Sequence, residues 1–400
     1  MDIDWIRAET PGVEKIIHLN NCGAGLMPQP VLDAVIDHLR LEAEIGGYEA
    51  EDAAAAALGN TYGALSRLLN CQADDIAVVE NATVAWDMAF YGLPMERGDV
   101  VLTTVSEYAS NCIAYLQRAE RGGIEVQVVP NDNAGQIDIA ALANMIDDRV
   151  KLISITHVPT NGGLINPAAA IGRVARNAGV PYLLDACQSA GQIPLDVDII
   201  GCDMLSATGR KFLRGPRGTG FLYVRNTMLE HLQPPFLDLH SAVWKTLESY
   251  EMAPNARRFE NWENYVAGKV GLGVVVDYAL DIGLDNIARR VQDLAGDLRI
   301  RMAALPGITV QDLGQEKSGI ISFSVGNIPP GQVTATMAEA GINISTTSAL
   351  STLHDMEQRG IEQMNRMGVH YYNSEAELDR FMDCLKSILH SKLSGENVTE

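Results

Sequence analysis

The sequence predicts an α/β fold in which a large domain carries a mostly parallel sheet between helices and a smaller α+β domain follows it. Three observations carry this. Short apolar runs bounded by turn residues alternate with amphipathic stretches across the first two thirds of the chain, the pattern of a parallel sheet covered on both faces. The chain has 400 residues, more than one hydrophobic core usually organises. From about residue 265 the pattern changes to a long helical zone and then to shorter strands. These features divide the chain into an N-terminal segment (1–20), a large domain (21–265) and a small C-terminal domain (266–400) that takes in part of the N-terminal segment.

The strands can be read in order. "DDIAVVEN", "GDVVLTTV", "IEVQVVPND", "VKLISITHV", "VPYLLDA" and "DMLSAT" are apolar, rich in β-branched residues and closed by polar or turn residues, and "GTGFLYV" returns as another strand. Helical periodicity fills most of the gaps. After "VAGKVGLGVVVDYALDIGLDNIARRVQDLAGDLRIRMAAL" come "GIISFSV", "GINIS" and "GVHYYN". The closing helix begins at "SEAE", where Ser374 and Glu377 have the spacing of a capping box. Only the tail "SGENVTE" has the composition of a disordered segment.

Composition excludes several classes. A net charge of -21 argues against a nucleic-acid surface, which needs a basic face. No run of about 18 apolar residues is present and the N-terminus lacks a signal-peptide pattern, so a cytoplasmic protein with no membrane partner is expected. Cys22, Cys71, Cys112, Cys187, Cys202 and Cys384 stand in unrelated contexts without metal-ligand spacing. They read as reduced thiols, and no metal is expected.

Against this acidic background "SATGRKFLRGPRGTGFLYV" gathers Arg210, Lys211, Arg214 and Arg217 among glycines. Lys211 lies on a tight loop between two buried strands, where a partly desolvated amine has a lowered pKa and can form a Schiff base. Asp185 ends the strand "VPYLLDA", and ligands of parallel sheets bind at such ends. In "VVENATVAWD" the strand gives way at Ala82 and Thr83 to a helix N-terminus suited to a phosphate. Tyr108, just after a strand, offers a flat aromatic surface, and Arg366 offers a guanidinium for a carboxylate. Each signal alone has a structural alternative: a helix cap, a packed ring or a surface cation. Together they describe pyridoxal 5′-phosphate (PLP) chemistry.

On these motifs, with "IIHLNNCGAGLMPQPV", "HVPTNGGLINP", "LLDACQSAGQ" and "RMGVHYYNSEAELDRF", the chain resembles the class V aminotransferase family over nearly its whole length. This is the PLP-dependent fold type I group that includes cysteine desulfurases, C–S lyases and isopenicillin N epimerase-like enzymes. The resemblance implies a large PLP domain with a seven-stranded-type sheet and a homodimer with shared active sites. It implies Lys211 as the Schiff-base lysine and proton carrier, and Asp185 as the partner of the ring nitrogen. Gln188 would sit near the phenolic oxygen with Thr160 or Asn161 alongside, and Ala82, Thr83, Thr208 and Arg210 would hold the phosphate. Tyr108 would stack on the ring, Asn21 would line the substrate pocket and Arg366 would clamp the α-carboxylate. Arg214, Arg217 and His370 are candidates for a distal acidic group of the substrate, with surface charge and a packed histidine as the alternative.

Two departures narrow the branch. Desulfurases carry a catalytic Cys on a small-domain loop, whereas the corresponding "INISTTSALSTLHD" has none, and "RRFENWENYVAG" stands where "RFExGT" would supply a threonine to the partner's phosphate. The resulting expectation is a β-eliminating C–S lyase acting on a cysteine-derived substrate without a persulfide-forming cysteine. An aminotransferase or a racemase/epimerase is the alternative.

Overall fold

The computed structural model describes residues 1–395; of the tail read as disordered, residues 396–400 lie outside them. Seven strands form the central sheet: β1 (Ile76–Val79), β2 (Val100–Thr104), β3 (Glu125–Val129), β4 (Val150–Thr156), β5 (Tyr182–Asp185), β6 (Met204–Thr208) and β7 (Gly220–Val224), in the order β1-β7-β6-β5-β4-β2-β3. All neighbours are parallel except β7, which runs antiparallel to both β1 and β6. The fold is thus the α/β type expected, with a mostly parallel sheet.

Helices cover both faces, so β1, β2, β5, β6 and β7 are buried along their whole length and their sequences carry no polar alternation. On one face α1 (Gln29–Ile45), α2 (Ala55–Leu69) and the later helix 266–282 pack together. The other face is closed by α3 (Ala82–Gly92) and α4 (Ala109–Gly122), with Trp86, Phe90 and Tyr115 at its centre. The register sets the site: Thr156 lies level with Asp185, Asp185 with Ser206, and Gly220 with both Thr208 and Val79.

The smaller unit is a four-stranded antiparallel sheet, Ile308–Val310, Ile320–Val325, Gln363–Gly368 and Ser345–Ser348 in that spatial order. Its core includes Leu294, Leu298, Phe323, Phe381 and Leu385. The strand read in "GVHYYN" lies earlier, at Gln363–Gly368. Pairing with Ile320–Val325 ends at Gly368, where a Cβ would come within 2.7 Å of the Cys22 nitrogen, and His370–Asn373 is instead a buried turn closed by the Asn373 N–H on the His370 carbonyl at 3.0 Å. The capping box at Ser374 and Glu377 is formed, each backbone N–H donating to the other's side chain at 3.2 Å.

Two further features complete the fold. Ile17–His18 pairs in parallel with Ile342–Asn343, tying the N-terminal segment to the smaller unit. A hairpin of Ala242–Thr246 and Ser249–Met252 stands out from the body. The boundary drawn at residue 265 falls at the start of helix Val266–Ile282, which puts Leu272, Val275 and Val276 into the larger core, whereas helix Leu284–Ala303 serves the smaller one. The change of core comes between the two helices, at Gly283.

Candidate active site

A cleft lined by Ala82, Thr83, Tyr108, Asp185 and Lys211 opens at the C-terminal ends of the parallel strands, where open α/β sheets bind ligands. Its floor is the end of β5. Asp185 is buried, and its Oδ1 accepts from the Cys187 N–H at 2.9 Å while Oδ2 accepts from Asn111 Nδ2 at 3.1 Å. Lys211 lies on the same cleft. Burial lowers its pKa, Arg210 and Arg366 adding to the effect while Cys187 and Asp185 oppose it. The loop after β6 is held to the body by the Gly25 N–H on the Arg210 carbonyl at 2.8 Å.

Of the phosphate candidates, Ala82 and Thr83 line the cleft, whereas Thr208 and Arg210 are not among its lining residues. Asn81 caps α3, its side chain accepting from the Val84 N–H at 3.0 Å, so Ala82 and Thr83 present the first turn of an eleven-residue helix to the cleft. Thr208 ends β6 two strands away, and Arg210 Nη1 donates to its Oγ1 at 3.3 Å. Tyr108, at the start of α4, lines the cleft as well.

Gln188 and Thr160 also line it. Gln188 Nε2 donates to the Cys22 carbonyl at 3.0 Å and to Thr160 Oγ1 at 3.5 Å, while its buried Oε1 has no partner within the protein. Arg366 is held on the small-domain side by Thr160, donating to its Oγ1 at 2.6 Å, and by Ser345 Oγ at 3.3 Å.

Arg366 is not itself among the residues that line the cleft, and Asn161 and Asn21 are placed elsewhere. Asn161 donates to Thr352 Oγ1 at 2.9 Å and to the Met356 sulfur, and accepts from Thr347 Oγ1 at 2.7 Å, so its amide joins the large domain to the small-domain loop. Asn21 donates to the Gly368 carbonyl at 2.7 Å and the His18 carbonyl at 3.2 Å and accepts from the Tyr372 hydroxyl. Neither side chain lines the cleft.

The remaining basic residues resolve into packing and surface. Arg214 is fully buried with a positive φ of 67°. Its guanidinium donates to the Leu26 carbonyl, Tyr371 hydroxyl and Thr10 Oγ1 at 2.6 to 2.7 Å and lies over the rings of Tyr371 and Tyr372. His370 is buried against the Phe212 carbonyl at 2.8 Å, and burial, with Arg214 nearby, keeps it well below the usual imidazole range. Arg217 is exposed.

Sequence reasoning missed Glu107, Asn111 and Cys187. Cys187 lines the cleft next to Asp185, and burial, followed by the Asp185 charge, pushes its thiol up to about 12. Glu107 and Asn111 are the first and last residues of "EYASN", the stretch that carries Tyr108, and their spacing of four at a helix start was the available signal. Among the described residues no group of His, Cys, Asp and Glu is placed to hold a metal, and no helix is long and apolar enough to cross a membrane.

With this geometry established, comparison with known proteins is specific. The family model described as "Aminotransferase class-V" matches residues 17–381. A probable cysteine desulfurase of Methanothermobacter thermautotrophicus is 27% identical over 394 residues, covering 97% of this chain and 98% of the relative. A cysteine desulfurase of Haloferax volcanii is 25% identical, covering 96% of each. Among solved structures, the apo cysteine desulfurase of Thermococcus onnurineus superposes with a TM-score of 0.90 at 24% identity, covering 97% of this chain and 98% of that one. A cystine C–S lyase in complex with its product cysteine persulfide gives 0.85 at 23%, covering 94% and 98%.

The residues present fit PLP. A buried amine with a lowered pKa, a strand-end carboxylate, a helix N-terminus and an unpartnered buried amide oxygen converge on one cleft. A buried polar atom of this kind calls for a partner, which a polar substituent on a bound group would provide.

Proposed function

This chain belongs to the class-V aminotransferase family and is a PLP-dependent enzyme, and on that footing we propose that it is a C–S lyase acting on a cysteine-derived amino acid by β-elimination. The observation that carries the proposal is Lys211 and Asp185 on one cleft, with no cysteine in strand Ser345–Ser348 of the smaller unit or in the turn Ala349–Ser351 that follows it.

PLP, when bound, supplies the electron-withdrawing ring that makes the Cα proton of an amino acid acidic. Lys211 anchors the cofactor and, as an amine shifted toward its neutral form, takes that proton from Cα. Asp185 would hold a proton on the ring nitrogen, its negative charge favouring the charged form of its neighbour. Thr83, Thr208, Arg210 and the N–H groups at Ala82 would hold the phosphate. Tyr108 would cover the ring, Gln188 would meet the phenolic oxygen and Arg366 would take the substrate α-carboxylate. When the Cβ–S bond breaks, its electron pair leaves with the sulfur, and the remaining enamine hydrolyses to pyruvate and ammonia.

The relatives' names favour a second reading, a cysteine desulfurase, in which the products are alanine and sulfur carried on a thiol. Cys187 is the cysteine that lines the cleft, and a thiol pushed up to about 12 is a poor nucleophile near neutrality. The two readings are separated by incubating the purified enzyme with L-cysteine, L-cystine and S-substituted cysteines and measuring pyruvate against alanine. Pyruvate with ammonia in equal amounts supports the lyase. Alanine in their place overturns it in favour of the desulfurase, and amine transfer to an added keto acid, or racemisation, overturns it in favour of the other family chemistries.

The active unit in this reading is a homodimer. Val243, Trp244, Leu247 and Tyr250 stand exposed on the projecting hairpin, with Phe236, Leu239 and Trp262 also exposed in the neighbouring sequence, a concentration of apolar side chains that monomers rarely leave in water.

A further inference from the structure

Glu107 is a buried carboxylate for which the chemistry above has no use. It is 2% exposed and follows the end of β2. Thr103 Oγ1 donates to it at 2.9 Å, the Thr156 N–H at 3.2 Å, the Tyr108 N–H at 3.0 Å and Asn111 Nδ2 at 2.8 Å, and Thr156 Oγ1 donates as well. No ion pair among the described residues includes it. A carboxylate in a dry interior without a cation is costly, and an apolar side chain of similar size would pack there at less cost.

What distinguishes Glu107 from a residue that merely closes the turn is the second bond of Asn111. The same Nδ2 that donates to Glu107 Oε1 donates to Asp185 Oδ2 at 3.1 Å, so the two N–H groups of one amide join two carboxylates. Carboxylates only accept, so the amide cannot turn over without aiming its oxygen at two anions. Glu107 therefore decides which side of Asn111 faces Asp185. The other Asp185 oxygen is fixed by the Cys187 N–H, and the carboxylate is held from both ends.

We propose that Glu107 is a positioning residue for Asp185: through Asn111 it fixes the plane of the Asp185 carboxylate that faces the ring nitrogen of the bound cofactor. This rests on the reading that Asp185 faces that nitrogen. Removing Glu107 then frees the Asn111 amide and loosens Asp185, and a less well placed Asp185 carboxylate disfavours protonated cofactor.

The test uses the full chain with the variants Glu107→Gln, Asn111→Ala and Asp185→Asn. Three quantities are read: the Kd for PLP by titration of the apoprotein, the pH midpoint of the bound cofactor's visible band, and the thermal midpoint of the apoprotein. Glu107→Gln and Asn111→Ala are each expected to weaken PLP binding about tenfold, the scale of one hydrogen bond to a charged group, and to move the band's midpoint to lower pH. Asp185→Asn does more of both, and Glu107→Gln adds less in that background than in the parent, since it acts through Asp185. A lower thermal midpoint alone in the Glu107 and Asn111 variants, with Kd and band unchanged while Asp185→Asn alters both, overturns the proposal and leaves Glu107 as packing. Should Asp185→Asn alter neither, the assignment of Asp185 has failed and the proposal fails with it. Where Glu107→Gln yields no folded protein, Asn111→Ala decides, because it cuts the bridge and leaves the buried acid in place.

Discussion

Single side chains here are governed by burial more than by pairing. His157, in the turn after β4, is buried with its Nδ1 unpartnered, and burial pulls its pKa from 6.5 down to about 4. Folded protein thus binds fewer protons than unfolded chain between those values. Stability is full above pH 6.5 and is lost as the pH falls toward 4, by up to about 3 kcal/mol from this residue. Comparing urea unfolding at pH 6.5 and pH 4.5 for wild type and His157→Gln should show a shallower acid loss in the variant; equal slopes would sink the assignment. Arg214 is the counterpart case of a cation kept inside by a carbonyl, two hydroxyls and aromatic faces without a carboxylate, which an amine could not reproduce because it lacks the planar fork.

At the scale of elements, the cleft depends on how closely strand and helix ends approach. Gly220 begins β7, and a Cβ there would stand 2.6 Å from the Asn81 carbonyl carbon and 2.9 Å from the Ala82 nitrogen. Those are backbone atoms and cannot swing aside. Gly220→Ala must push β7 away from the N-terminus of α3, and with it Ala82 and Thr83. The expected cost is about 1 to 3 kcal/mol of stability and at least about a tenfold loss of PLP affinity, since displaced N–H donors no longer aim at the phosphate. Unchanged affinity in apoprotein titration would mean that the phosphate is not held at this helix.

For the whole molecule the hairpin of Ala242–Met252 is the exposed feature that a lone subunit does not explain. Trp244 is 69% and Leu247 90% exposed, on a chain whose charge of -21 otherwise favours dispersion. Sedimentation at micromolar concentration is expected to give twice the 43.3 kDa of one chain, and Trp244→Asp combined with Leu247→Asp to give the single chain with activity reduced at least tenfold. A wild type that is monomeric and fully active would refute the shared-site arrangement.

The sequence by itself determined the sheet, the class V membership and the place of Lys211, Asp185, Thr83 and Gln188. Each of these depends on a local pattern: an apolar run, the polar residue that ends it, or a helix start at fixed spacing. Only the tertiary structure decided that Arg214 is caged, that Asn161 faces strand Ser345–Ser348, that Ile17–His18 pairs with Ile342–Asn343, and that Glu107 reaches Asp185 through Asn111. Those outcomes join residues far apart in the chain, or turn on which way a side chain points. Strand register and domain packing set both, and no periodicity in the sequence encodes either.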